Sequence, residues 1–170
     1  TITVKQKATV DFGVGQGIQW PAQVMAPFVD MTAYVSDREF SNNGAPNLAK
    51  IAKQSETKFF NLGFMQATGV VNGRLNWSWG GFNGLNELTN DQWQYEGIKK
   101  AIRELREEGG DVALSFGGLN SGAFWELTQD VTILTNAYQE LIEGYGLTRI
   151  DLDVEVGAMD YQHNKANAKA

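Results

Sequence analysis

The stretch RIDLDVEV, residues 149–156, alternates Asp151, Asp153 and Glu155 with Ile150, Leu152, Val154 and Val156. Successive side chains of a β-strand point to opposite faces, so this pattern puts three carboxylates on one face and four aliphatics on the other. Acids two apart on one strand lie roughly 6 to 7 Å from each other and oppose each other's ionisation. A solvent-exposed strand can carry three such acids harmlessly. A strand covered on both faces cannot, because unpartnered buried charge is costly. What surrounds the strand therefore decides between a surface pattern and a functional one.

Three other β-rich apolar runs precede it, VMAPFVDMTAYV from Val24, KFFNLGFMQAT from Lys58 and DVALSFGG from Asp111. Between them the apolar spacing changes to that of helices. Over residues 91–108, Ile98, Ala101, Ile102 and Leu105 share one helix face, with a capping box expected from Thr89 to Gln92 and a stop at Gly109 and Gly110. A second helix is expected over residues 130–143, carrying Val131, Leu134, Tyr138, Leu141 and Ile142 on one side, and a shorter one over residues 48–54. Strands alternating with helices predict βαβ units and a parallel sheet, so both faces of RIDLDVEV are covered. The expected fold is α/β: residues 1–23 an extended lead-in or linker, and residues 24–170 about the first four strands of a (β/α)8 TIM barrel. Residues 69–89, rich in Trp, Asn and Gly, exceed the usual two to six residues of such a connection and read as a functional loop.

Composition narrows the chemistry. Hydrophobic residues make up 42% and charged residues 20% of the 170, enough to build a core. Fourteen Lys and Arg against twenty Asp and Glu give a net charge of −6, which repels phosphate backbones, so no nucleic-acid partner is expected. No apolar run is long enough to span a membrane, and the first residues lack the apolar core of a signal peptide, although a start at Thr1 implies that something upstream was removed. Cysteine is absent and His163 is the single histidine, which leaves no thiol chemistry and almost nothing for a Ser-His-Asp triad or a histidine metal site. Catalysis has to rest on carboxylates and hydroxyls, without a cofactor.

Barrel enzymes place their chemistry at the C-terminal ends of the strands, where Glu155 stands. Crowded by like charges, a carboxylic acid there keeps its proton to higher pH and suits the protonation of a leaving group. The competing reading makes Asp151, Asp153 and Glu155 ligands of Mg or Ca, which prefer oxygen. No second acid cluster with ligand spacing accompanies them, and no metal is assigned.

The RIDLDVEV strand resembles the D-x-x-D-x-D-x-E signature of glycoside hydrolase family 18, with Asp151, Asp153 and Glu155 on its last three acids and Thr148 where the first acid stands. The S-x-G-G signature of the preceding strand matches Ser115, Phe116, Gly117 and Gly118. APFVDMTAYV and Trp79-Gly80-Gly81 are similar to a bacterial chitinase branch of that family. The resemblance implies a retaining, substrate-assisted hydrolysis of chitin, an exception to the usual two-carboxylate scheme. Glu155 would protonate the glycosidic oxygen, Asp153 would orient the attacking 2-acetamido group and share a proton with Asp151, and Ser115 would hydrogen-bond into the stack. Tyr34 and Trp79 would offer aromatic faces to the sugar, with packing as the alternative role of each, while Trp77, Trp93 and Trp125 read as core or helix residues. Gly117 and Gly118 would let the backbone approach the substrate. The resemblance further implies secretion, and a second barrel half that is required for activity. An endo-β-N-acetylglucosaminidase acting on N-glycans and a non-catalytic chitin-binding lectin share the fold.

Overall fold

The computed structural model describes residues 10–89, 93–119 and 122–155. Along the chain run β1 (Phe28–Asp30), a small hairpin of β2 (Ser41–Asn42) and β3 (Ala45–Pro46), α1 (Leu48–Ser55), β4 (Phe59–Val71), β5 (Arg74–Trp79), α2 (Trp93–Glu107), β6 (Asp111–Gly117), α3 (Phe124–Leu127), α4 (Val131–Gly144) and β7 (Ile150–Asp153). The main sheet has the order β1-β4-β6-β7, all parallel, with β5 antiparallel on β4. Sequential parallel strands placed side by side with helices between them form the wall of a partial TIM barrel.

Helix boundaries follow from local chemistry. Asn47 caps α1 through Lys50 N, and Asp130 caps α4 by accepting from Thr132 N and Ile133 N, each satisfying donors that a helix start leaves open. The capping box expected at Thr89 and Gln92 includes a residue outside the described set. On α2, Ile98, Ala101, Ile102 and Leu105 are buried as their spacing predicts. Each large one contributes about 1.5 to 3 kcal/mol of apolar burial. On α4 the buried face is Leu134, Ala137 and Leu141, with Val131 out in solvent. These helices cover the outward side of β6, where Val112, Leu114 and Phe116 join the core.

Residues 69–89 do not form the long loop that the sequence suggested. Their first half is a β-hairpin: β4 runs on to Val71, Asn72 and Gly73 turn with positive φ, and β5 returns. An Asn-Gly pair flanked by strand residues is the usual signal for this turn. Alternation along β5 then sends Leu75, Trp77 and Trp79 into the core.

The lead-in is extended from residue 10 and packs tightly. Phe12 sits edge-on to Tyr145, Val14 and Trp20 are buried, and the Arg149 guanidinium covers Trp20 at 4.5 Å. Its anchor is the first residue of β6. Asp111, fully buried, accepts from Arg106 Nε at 2.9 Å, Ile18 N at 3.0 Å and Trp20 Nε1 at 2.9 Å. Arg106 also donates to the carbonyls of Val14, Gly15 and Tyr145. This network closes the N-terminal end of the strands, opposite to Glu155.

Candidate active site

The strand register gathers the candidate residues. Ser115 lies beside Asp151 and Gly117 beside Asp153, so the two signature segments share one face of adjacent parallel strands. Asn61 of β4 and Phe28 of β1 continue that face. Along β7 and the two residues that follow it, Asp151, Asp153 and Glu155 are half-buried while Ile150, Leu152 and Val154 are exposed, the side that meets helices in a barrel.

Within this face the Ser115 hydroxyl, itself fully buried, donates to Asp151 Oδ2 at 2.6 Å. Glu155 shares a hydrogen bond with Asp153, and that bond, helped by partial desolvation and by the neighbouring charge, raises its carboxyl above the usual glutamate range. The acids lie along one strand rather than converging on a point, and no group of three or more among the described residues is arranged to hold a metal ion.

The glycines hold this geometry. Gly117 adopts φ +112°, and a Cβ there would lie 2.3 Å from the Asp153 carbonyl oxygen, so only glycine lets β6 and β7 approach this closely. The Gly118 N–H donates to the same Asp153 oxygen at 3.1 Å. Two contributors were invisible in sequence. Gln66, buried on β4, donates from Nε2 to the Gly117 carbonyl at 3.1 Å. Phe64 stacks on Phe28 with centroids 6.0 Å apart, and its ring lies where a Cβ on Gly118 would meet it. A polar Gln within the buried FMQAT run was the one available hint, since buried polar groups need partners.

Of the aromatic residues expected to meet substrate, Tyr34 is exposed beyond the end of β1. Trp79 is not available: it is fully buried, and its Nε1 donates to the Tyr145 hydroxyl at 2.9 Å. Tyr145 in turn contacts the Tyr95 hydroxyl, which donates to Glu87, and burial pushes both phenols far above their usual range. Trp79 is therefore a structural residue of the core, because β5 is a strand and its period turns position 79 inward. Trp77 and Trp125 are buried as expected, whereas Trp93 is exposed on the first turn of α2. His163 lies outside the described residues.

No protein-family model matches the chain. It is 33% identical over 139 residues to a probable bifunctional chitinase/lysozyme of Escherichia coli K12, covering 80% of this chain and 13% of that protein. It is 32% identical over 136 residues to endochitinase 11 of Metarhizium anisopliae, covering 80% of this chain and 22% of that one. The chain thus spans less than a quarter of the length of either relative. Among solved structures, the catalytic domain of the hyperthermophilic chitinase of Pyrococcus furiosus aligns with TM-score 0.57 at 29% identity, over 78% of this chain and 37% of that one. A catalytic-site mutant of active domain 2 of a Pyrococcus furiosus chitinase, complexed with chito-oligosaccharides, aligns with TM-score 0.56 at 25% identity, over 85% of this chain and 42% of that one. The acid strand, the glycine-rich strand end and the parallel wall thus belong to a chain that is similar, over about four fifths of its length, to segments of chitinases.

Proposed function

We propose that this chain is the N-terminal half of the catalytic barrel of a secreted chitinase, which cleaves β-1,4-linked N-acetylglucosamine polymers with retention through substrate-assisted catalysis. The observation that carries the reading is the single polar face on which Ser115, Asp151, Asp153 and Glu155 meet at the C-terminal end of the strands. A glutamic acid whose carboxyl is raised by a neighbouring carboxyl keeps its proton to higher pH and can give it to the glycosidic oxygen as the bond to the leaving sugar breaks. The acetamido oxygen of the substrate then closes on the anomeric carbon. Asp153, backed by Asp151 and the Ser115 hydroxyl, steadies the positive charge that develops on that ring. Glu155, now ionised, takes a proton from the water that opens it. Gly117 and Gly118 keep the backbone clear for the sugar, and Tyr34 offers it an aromatic face. The remaining barrel strands complete the cleft.

The related endo-acting reading differs in substrate. Full-length parent protein incubated with N-acetylglucosamine oligomers and, separately, with a high-mannose glycoprotein decides between them. Oligomer cleavage with an intact glycoprotein is expected. Release of the glycan without oligomer cleavage transfers the same acids to N-glycan hydrolysis, and binding without cleavage of either identifies a lectin.

A further inference from the structure

Asparagine followed by glycine occurs at three places in the chain, Asn43-Gly44, Asn72-Gly73 and Asn83-Gly84. Asparagine is a thermolabile residue. The following amide nitrogen can attack its side-chain carbonyl carbon, and a glycine there has no Cβ to obstruct the approach or restrict the rotation it needs. All three asparagines are exposed. What separates them is the state of the glycine nitrogen that has to act as the nucleophile.

Gly44 is buried under the Trp93 and Tyr34 rings, and its N–H donates to the Ser41 hydroxyl at 2.8 Å. Gly84 is buried as well, and its N–H donates to the Thr89 hydroxyl at 3.2 Å. Each of these nitrogens is held by a hydrogen bond inside an enclosed backbone. Gly73 differs on both counts. The β4–β5 ladder closes at Val71 opposite Arg74, which leaves the Gly73 N–H outside it. Gly73 is exposed, and nothing lies within 4 Å of the place a Cβ would take. With φ of 51° and 75°, Asn72 and Gly73 are the two central residues of a primed hairpin turn. Directly after it, Arg74 donates to Glu140 of α4 at 2.6 Å and to Asn76 at 2.9 Å, so the turn sets where the hairpin is tied to the helix layer.

We propose that Asn72-Gly73 is a site of spontaneous deamidation, selected by the fold over the other two pairs. The Gly73 nitrogen gives up its proton to water or hydroxide and bonds to Asn72 Cγ, the Cγ–Nδ2 bond breaks, and ammonia leaves behind a cyclic imide. Water then opens the imide at either carbonyl. One product is aspartate; the other is isoaspartate, whose backbone runs through the former side chain and is longer by a methylene. Both add a negative charge. Because the length of a hairpin turn fixes the register of its strands, the longer backbone loosens the tie between Arg74 and Glu140.

The test is ageing of the full-length parent at mildly alkaline pH, folded and in guanidinium chloride, followed by tryptic mass spectrometry and an isoaspartate methyltransferase assay. In the folded protein Asn72 converts about fivefold faster than Asn43 and Asn83, the advantage of a nitrogen with no hydrogen bond to give up. In guanidinium the three rates converge. Folded rates within twofold of one another, or Asn72 behind either of the others, overturn the proposal; so does an advantage that persists undiminished in guanidinium, which assigns it to neighbouring residues and not to the fold. Ageing also lowers the unfolding midpoint of the wild type but not that of Asn72→Gln, whose longer side chain closes the ring far more slowly. An unchanged midpoint in fully converted wild type overturns the loosening of the hairpin.

Discussion

Replacing Gly117 by alanine probes the point where fold and chemistry meet. The new Cβ would lie 2.3 Å from the Asp153 carbonyl oxygen and 2.9 Å from the Trp125 ring. Carbon and carbonyl oxygen rarely approach within about 3.3 Å, so β7 has to retreat by roughly 1 Å. Two costs add. Holding alanine at φ +112° costs about 1 to 3 kcal/mol, and overpacking a close contact about another 1 to 3. The sum, about 2 to 6 kcal/mol, is a large share of the 5 to 15 kcal/mol that usually separates folded from unfolded chains. The retreat also displaces Asp153 from Glu155, and a misplacement of about 1 Å can cost a hundredfold in rate. Gly118→Ala is the internal control. It shares a positive φ of +90°, yet the nearest atoms to its Cβ are those of the Phe64 ring, at 3.2 Å. Urea unfolding and chitobioside turnover of the full-length parent should show a large loss of both stability and rate for Gly117→Ala and a smaller one for Gly118→Ala. An unchanged midpoint with turnover within twofold of wild type for Gly117→Ala would refute the close-packing argument.

Asp111→Asn leaves Arg106 buried without its counter-charge and should cost about 3 to 5 kcal/mol in chemical denaturation, while turnover per folded molecule stays within twofold because the network sits at the opposite end of the strands. Ser115→Ala removes a 2.6 Å hydrogen bond to a carboxylate, worth about 1.5 to 3 kcal/mol, and should lower kcat by about tenfold or more with little change in KM. Glu155 is competent as an acid only while protonated, and its raised carboxyl holds the proton to higher pH, so activity should fall as pH rises through that value. Asp153→Asn removes the like charge and turns the shared hydrogen bond into one that favours ionised Glu155, so the alkaline limb of the pH–rate profile should move to lower pH; a limb that stays in place or moves up contradicts the coupling.

Periodicity made the α/β order and the parallel wall legible, because the switch between period two and period 3.6 is written in the apolar positions themselves. The acid face was legible for the same reason: three carboxylates at alternate positions have one geometric outcome on a strand. The β5 hairpin was misjudged although Asn72-Gly73 announced it, since Trp and Gly around it suggested a loop. That one error carried Trp79 to the wrong place, as a tryptophan on a loop and one on a strand face opposite surroundings. Gln66 was hidden because its partner, the Gly117 carbonyl, is 51 residues away and belongs to the backbone. Trp93 was read as a core or helix residue and is the first residue of α2, where its ring stands in solvent. The packing of the lead-in under Arg106 and Asp111 depends on long-range pairing that no local pattern reports.

The central claim is that Glu155 is the proton donor. It is tested most directly by chitobioside turnover of the full-length parent carrying Glu155→Gln, measured beside wild type at equal folded concentration, with binding of N-acetylglucosamine oligomers followed in parallel. Loss of turnover by at least a hundredfold, with oligomer affinity retained, is the expected result, since general acid catalysis contributes about 10² to 10⁴-fold. Undiminished turnover would contradict the account and leave the acids of β7 with a structural or ion-binding role.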